Sequence, residues 1–110
     1  MSALIKAEYQ SCLDACVECL IDCKVCLAKM VGQKSMNDCP YCCIQCIATL
    51  EATIALLTAE SDLSKEQCAV CAKACQFCAE QCAEHTDHAH CQKCAESSRR
   101  CAEVCRKMAA

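Results

Sequence analysis

The segment CLDACVECLIDCKVC, residues 12–26, carries the strongest structural pattern in the chain. Its cysteines follow one another at intervals of 4, 3, 4 and 3 residues: Cys12, Cys16, Cys19, Cys23 and Cys26. These are the intervals of the a and d positions of a helix seam, where leucine is the usual residue. An α-helix makes one turn in ~3.6 residues, so the rhythm predicts that all these sulfurs lie along one face. The seam of this helix is therefore made of thiols.

Three further segments carry cysteines at helical spacing. One run repeats the rhythm as 3, 4, 3 and 4: Cys68, Cys71, Cys75, Cys78 and Cys82. Two shorter sets complete the 18 cysteines of the chain: Cys39, Cys42, Cys43 and Cys46, and then Cys91, Cys94, Cys101 and Cys105. Ser98 stands where the rhythm of the last set predicts another cysteine. Four such seams predict a core that is lined by sulfur.

The composition favours helices with few interruptions. The chain has 110 residues with one Gly and one Pro, and its length suits a single domain, residues 1–110. We predict an all-α, antiparallel up-down-up-down four-helix bundle with a cysteine-lined core. The predicted helices cover about residues 2–31, 38–59, 64–86 and 88–108. Gly32 is predicted to end the first helix. Side-chain caps are predicted where the others begin: Asn37 or Asp38, the pair Ser64 and Gln67, and Asp87.

This topology predicts two unlike ends. One end gathers cysteines and all the histidines: Cys26, Cys39, Cys42, Cys43, Cys82, Cys91, His85, His88 and His90. The other end gathers apolar residues: Ile5, Tyr9, Leu50, Ile54, Leu57 and Met108. We call the first end the mouth and the second the closed end. The sequence thus predicts a bundle that is open to ligands at one end only.

Charge and the N-terminal residues argue against several classes of protein. The net charge is −3 with no basic patch, so nucleic acid is not an expected partner. The first ten residues lack the pattern of a signal peptide, and no apolar run approaches the ~20 residues of a membrane span. A secreted disulfide scaffold would also be rich in loops. We therefore expect a cytoplasmic protein with reduced thiols.

Thiolates are soft ligands that suit Cu(I), Zn(II) and iron–sulfur clusters. Zinc sites favour closed groups of four ligands, and iron–sulfur clusters favour cysteines on a wrapping loop, so continuous helical seams fit neither well. Charge separates the metals further, because uncompensated buried thiolate is very unfavourable. Bridging thiolates with one Cu(I) per sulfur leave a nearly neutral core. The 18 cysteines therefore predict a capacity of about 18 Cu(I) ions.

The candidate metal ligands are the 18 cysteines together with two histidines, His85 and His88. His85 follows Cys82 by three residues and is in phase with its seam. The phase of His90 depends on where the last helix begins, so its role stays open. Thioether sulfur from Met30 or Met36 also stays open.

Cysteine seams in all four helices, 18 thiols in a short chain and histidines near one end resemble the bacterial copper storage proteins, in their cytosolic form. The resemblance covers essentially the whole chain. It implies a four-helix bundle that holds many Cu(I) ions on core thiolates, and usually a tetramer of bundles. It also implies that copper enters at the mouth, which would carry these residues: His85, His88, Cys39, Cys42, Cys43 and Cys91. Ser98 departs from an unbroken series of sites along the last helix.

The leading hypothesis is thus a non-enzymatic Cu(I) store that buffers copper. The alternatives are a chaperone that hands Cu(I) to a partner, a thiol redox enzyme, and a protein that sequesters zinc or another soft metal. A redox enzyme needs one exposed, low-pKa cysteine, and no cysteine here is distinguished in that way. Apolar residues beside the first cysteine seam and around the second helix predict self-association through those two helices.

Overall fold

The computed structural model describes residues 4–110, which form four α-helices and no strand. Each helix contacts its neighbours in the chain, and the first also contacts the fourth, so the helices close into a ring. The bundle measures 42 × 24 × 17 Å. The predicted all-α four-helix bundle is confirmed. Its elements are α1 (Ala7–Met30), α2 (Tyr41–Thr58), α3 (Ser64–Ala83) and α4 (Ala89–Ala109).

Helix α1 begins at Ala7, whereas residue 2 was predicted. Residues 4–6 form a turn and a bend ahead of the helix, and Ser2 lies outside the described residues. At the other end, Gly32 follows the last turn with φ +81°. Glycine adopts this left-handed conformation without a steric penalty, so Gly32 ends the helix as predicted.

None of the later helices has a side-chain cap, so the predicted caps are wrong. The Asn37 Oδ1, the atom that a cap would use, accepts instead from the backbone N–H of Cys39, ahead of α2, at 3.0 Å and from the Nε2 of His85 at 2.8 Å. The Asp38 backbone carbonyl, and not its carboxylate, accepts the first-turn N–H of Cys42. Helix α2 consequently begins about one turn later than the predicted residue 38.

The pair Ser64 and Gln67 joins two helices instead of capping one. The Ser64 hydroxyl donates to the Leu56 carbonyl at 3.2 Å. The Gln67 amide donates to the Thr49 carbonyl and to the Thr53 hydroxyl, each at 3.3 Å. Both side chains therefore hold α3 against α2 near the closed end.

The closed end has an apolar interior. Leu50 and Leu57 are fully buried there on α2, and Thr53 is buried between them. Four partly buried side chains pack against the core: Ile5, Tyr9, Ile54 and Met108. The second half of α2 thus supplies branched apolar side chains where its first half supplies thiols.

Helix α2 is long and apolar enough to cross a membrane, by length and composition alone. The prediction from sequence that no apolar run is long enough to span a membrane is therefore wrong for α2. About a third of the helix, 33%, is buried inside the bundle, and core helices of globular proteins meet the same criterion. Its outward side carries Ile44, Ala48 and Ala52, all exposed, so the apolar character continues on the surface.

Candidate metal centre

All 18 cysteines lie in the core as free thiols. No cysteine side chain is more than 1% exposed. The predicted seams therefore face inward on all four helices, and the α1–α2 connection adds Cys39. The sulfurs fall into three sets along the bundle axis, which we call the deep group, the middle layer and the outer group.

The deep group lies toward the closed end and comes from α1, α3 and α4: Cys12, Cys16, Cys68, Cys71, Cys101 and Cys105. The ligand atoms of one quartet lie within 4.8 Å of one another: Cys16, Cys71, Cys101 and Cys105. Cys12, Cys68 and Cys105 form a trio by the same measure. Cys105 belongs to both sets, so the two clusters share a sulfur.

The middle layer contains Cys19, Cys46 and Cys75 together with Ser98. The sulfurs of Cys46 and Cys75 are 3.6 Å apart, and the Cys19 thiol interacts with both across the core. The Ser98 hydroxyl oxygen lies 3.4 Å from the sulfur of Cys19. The fourth helix thus contributes oxygen to a layer in which the other three contribute sulfur.

The outer group lies toward the mouth and draws on all four helices and the α1–α2 connection: Cys23, Cys26, Cys39, Cys42, Cys43, Cys78, Cys82, Cys91 and Cys94. Its sulfurs form overlapping quartets within 4.8 Å. These are Cys23–Cys43–Cys78–Cys94, Cys26–Cys39–Cys43–Cys82 and Cys42–Cys43–Cys78–Cys82. Cys43 belongs to all three quartets, so these clusters form one continuous network.

The three histidine rings stack at the mouth, but they differ in their contacts with sulfur. The His90 Nδ1 lies 3.4 Å from the Cys26 sulfur and 3.5 Å from the Cys91 sulfur. His88 stacks between the other two rings, with centroid distances of 5.7 Å to His85 and 5.2 Å to His90. The structure therefore brings His90 to the sulfurs, although its role stayed open from sequence.

His85 is held by hydrogen bonds to the α1–α2 connection. Its Nε2 donates to the Asn37 Oδ1 at 2.8 Å and lies 3.3 Å from the Ser35 hydroxyl. The Asn37 amide nitrogen already donates to α3, so its oxygen is the acceptor. A neutral His85 that uses Nε2 in this way keeps the lone pair of Nδ1.

The methionines that the sequence left open lie in different places. Met30 is 1% exposed and belongs to the core, whereas Met36 is 71% exposed on the α1–α2 connection. Neither the burial of Met30 nor the exposure of Met36 identifies a thioether ligand.

Burial favours the uncharged form of both Cys91 and His90 at the mouth. It raises the pKa of the Cys91 thiol to about 11, because a thiolate in a poorly hydrated site is unfavourable. Burial also lowers the pKa of His90, and the neighbouring His88 and Lys29 lower it further. At neutral pH Cys91 is thus a thiol and His90 is neutral. A cation that binds between them can take up a lone pair from His90 and displace the proton of Cys91.

The chemistry of this core is that of soft ligands. Groups of three and four thiols suit an ion that accepts two, three or four sulfurs, and metal binding would replace the thiol protons. The described core contains no carboxylate among its buried residues. Hard cations that need oxygen ligands therefore find no suitable site in this interior.

The fold and the interior define a helical bundle that sequesters soft metal ions on thiols. The chain belongs to the copper storage protein family, because the model of that family (Csp) matches residues 5–110. The resemblance inferred from the cysteine seams is confirmed.

Similar proteins support the assignment to this family. The chain is 35% identical over 104 residues to a Bacillus subtilis (strain 168) protein described as the uncharacterized cysteine-rich protein YhjQ, covering 92% of this chain and 95% of that one. The apo form of copper storage protein 3 from Bacillus subtilis superposes with a TM-score of 0.87 at 34% identity, over 93% of this chain and 99% of that one. The Cu(I)-bound copper storage protein BsCsp3 gives 0.84 at 33% identity, over 94% and 99%.

Proposed function

We propose that this protein stores Cu(I) on the thiolates of its core, with a capacity of about one ion per cysteine. The observation that carries the proposal is the burial of all 18 cysteines in one array, whose trios and quartets are joined by further sulfur–sulfur contacts. A similar structure holds Cu(I), which supports the choice of metal. Each ion displaces one thiol proton, so the metal and the thiolate charges cancel and no electron is transferred.

The proposed ligands are the 18 cysteines of the deep group, the middle layer and the outer group. His90 joins them at the mouth, since its Nδ1 already lies beside two sulfurs. His85 and His88 stay predictions as ligands. His88 stacks on both other rings, and His85 has its Nε2 engaged by Asn37, so Nδ1 is the nitrogen it would offer.

Storage fits the array better than the alternatives do. A chaperone that transfers one ion needs an exposed site, and every sulfur here is buried. A thiol redox enzyme needs an accessible thiolate, which this core does not offer. Zinc sequestration would leave two negative charges at each site of four thiolates, inside an interior with no buried cation among the described residues. We therefore propose a non-enzymatic role in the cytoplasm, where thiols stay reduced.

Self-association through α1 and α2 completes the proposal. Val17, Ile21 and Val25 form an exposed apolar row on α1, with 43%, 56% and 42% of each residue exposed. Ile44 on α2 is 53% exposed. An apolar surface on adjacent helices fits a second copy of the bundle, and the resemblance favours a tetramer. Ile21→Glu with Ile44→Glu should then reduce the mass measured by sedimentation, whereas Val70→Glu on α3 should not.

Anaerobic titration of the reduced protein with Cu(I), against a strong chromogenic chelator, tests the storage function. We expect uptake of about 18 ions per chain with release of about one proton per ion, because thiols become thiolates. The parallel measurement uses Zn(II), for which we expect fewer ions and displacement by Cu(I). Saturation with only a few Cu(I) ions would contradict storage and favour a chaperone. Resistance of bound Zn(II) to Cu(I) would favour zinc sequestration.

A further inference from the structure

Ser98 interrupts the cysteine seam of α4 between the outer group and the deep group. We infer that this hydroxyl divides the Cu(I) store into an outer pool that exchanges quickly and a deep pool that exchanges slowly. The inference rests on the proposed storage function. It makes Ser98 one determinant of the rate at which copper moves along the bundle.

The Ser98 side chain points into the seam. It is 0% exposed, and its oxygen lies 3.4 Å from the Cys19 sulfur and 3.9 Å from the Cys94 sulfur. Its neighbour Ser97 is equally buried but donates to the backbone carbonyls of Lys93 and Cys94, each at 3.3 Å. The two serines thus separate into one that belongs to the sulfur array and one that belongs to the helix backbone.

A hydroxyl cannot replace a thiolate in the transport of a soft ion. Cu(I) moves along the array when a new thiolate binds it and the previous one leaves, and the proton of the receiving thiol passes to the sulfur left behind. Serine oxygen stays protonated and is a hard ligand, so it does not take part in such an exchange. On α4 Cys94 and Cys101 are seven residues apart, which is a rise of about 10 Å along the helix axis at ~1.5 Å per residue.

Helix α2 also supplies no sulfur below the middle layer. Its last cysteine is Cys46, and the next seam position holds the fully buried Leu50. Below the middle layer the sulfurs therefore come from α1, α3 and α4 alone. The contacts that link the three sets include Cys19 to Cys23 at 3.9 Å and Cys71 to Cys75 at 3.8 Å. Copper that enters at the mouth reaches the deep group through the three sulfurs of the middle layer.

The functional consequence is a store with two rates. The outer group holds nine sulfurs near the histidines, and the deep group holds six behind the middle layer. Copper in the outer pool is released quickly when cellular demand changes, and copper in the deep pool acts as a reserve. The separation arises where Ser98 leaves the middle layer one sulfur short and Leu50 ends the sulfur supply from α2.

Release kinetics test the inference. Each protein is loaded anaerobically with Cu(I) and mixed with excess chromogenic chelator, and the absorbance of the complex gives the release. For the wild type we expect a fast phase and a slow phase. Ser98→Cys should bind about one Cu(I) more and speed the slow phase several-fold, because it restores the fourth sulfur of the layer. Cys19→Ser removes another sulfur from the layer and should slow that phase further.

Two control variants separate the sulfur gap from other effects. Ser98→Ala removes the hydroxyl without adding a thiol and should keep both phases. Ser97→Cys adds a thiol on the same helix outside the array and should change neither the Cu(I) count nor the rates. Release in a denaturant should show one phase for every variant, because the pools then no longer exist.

The outcomes distinguish the inference from the function on which it rests. Uptake of about 18 Cu(I) followed by release in one phase overturns the division into pools and leaves storage intact. A slow phase that neither Ser98→Cys nor Cys19→Ser alters, or that Ser97→Cys speeds equally, also overturns it. Failure of the wild type to take up Cu(I) overturns the storage function itself.

Discussion

The outer group and the deep group follow the same cysteine rhythm on α1 and α3, yet they are enclosed differently. Every helix contributes sulfur to the outer group, and Cys43 joins three quartets there. Beside the deep group α2 contributes Leu50, Thr53 and Leu57 instead. The difference shows that the density of ligands depends on the facing helices as much as on the seam itself. The mouth half gains binding capacity, and the closed half gains apolar packing.

The largest expected effect is on the packing of the closed half. Leu50→Ala should lower the free energy of unfolding of the apo protein by about 2–5 kcal/mol, because it leaves a cavity in a fully buried site. Cys42→Ala, at an equally buried position of the mouth half, should cost less, since a smaller side chain is shortened. Urea unfolding of the two variants measures the difference. Equal losses would mean that thiols stabilise the mouth as much as leucines stabilise the closed end.

The second largest expected effect is a dependence of the stability of the apo protein on pH, which arises from the buried thiols. The pKa of Cys91 is about 11 in the fold, against an ordinary value of 9.0, because burial disfavours the thiolate. Between these values the unfolded chain binds fewer protons than the native one, so the stability of the apo protein falls as the pH rises. The contribution of this thiol is complete below pH 9 and is lost as the pH passes about 11.

Urea midpoints of the apo protein across that window measure the loss. Cys91→Ser should reduce it, because a hydroxyl does not ionise there. The Cu(I)-loaded protein should not show the same dependence, since metal has already replaced the proton. A flat profile for the apo protein would contradict the raised pKa.

A smaller effect concerns Asn37, which holds the α1–α2 connection over the mouth. Its amide donates to Gln81 and to Glu84, at 2.8 Å and 2.7 Å, and its oxygen accepts from His85 and from the backbone N–H of Cys39, at 2.8 Å and 3.0 Å. Asn37→Ala should therefore speed alkylation of the mouth thiols, Cys39 first, and cost about 1 kcal/mol for each net hydrogen bond lost.

The matched variant for the closed half is Gln67→Ala, which removes the bonds from α3 to Thr49 and Thr53. It should lower stability to a similar degree without raising the alkylation rate at Cys39. Mass spectrometry after a short pulse of alkylating reagent locates the labelled thiols. Equal labelling at Cys39 in both variants would show that Asn37 stabilises the whole bundle and not the mouth in particular.

The smallest expected effect is that of His90. His90→Ala should leave the Cu(I) capacity nearly unchanged and slow the first steps of loading, because one nitrogen beside Cys26 and Cys91 is lost. Stopped-flow loading at substoichiometric Cu(I) measures it. His88→Ala is the control, since His88 contacts the other rings but no sulfur within the described hydrogen bonds.

Sequence reasoning was strongest where many residues repeat one pattern. The seams of α1 and α3 predicted which cysteines face inward, since a helical period fixes the face of every residue once the helix forms. It was weakest at helix starts, where one competing hydrogen bond decides whether a side chain caps the helix. Asn37 and Gln67 each have the side chain of a capping motif, but both are recruited by a neighbouring helix. The face of the bundle on which His90 lies likewise depended on the residue at which α4 begins.

The fold class, the sulfur-lined interior and the preference for a soft metal could all be predicted from the sequence, because they follow from periodicity and from the chemistry of thiols. The packing of the four helices was needed to show which sulfurs form quartets, that His90 contacts sulfur, and that Ser98 belongs to the array while Ser97 does not. Distances between helices arise from the packing of all four together, and no pattern within one helix contains them.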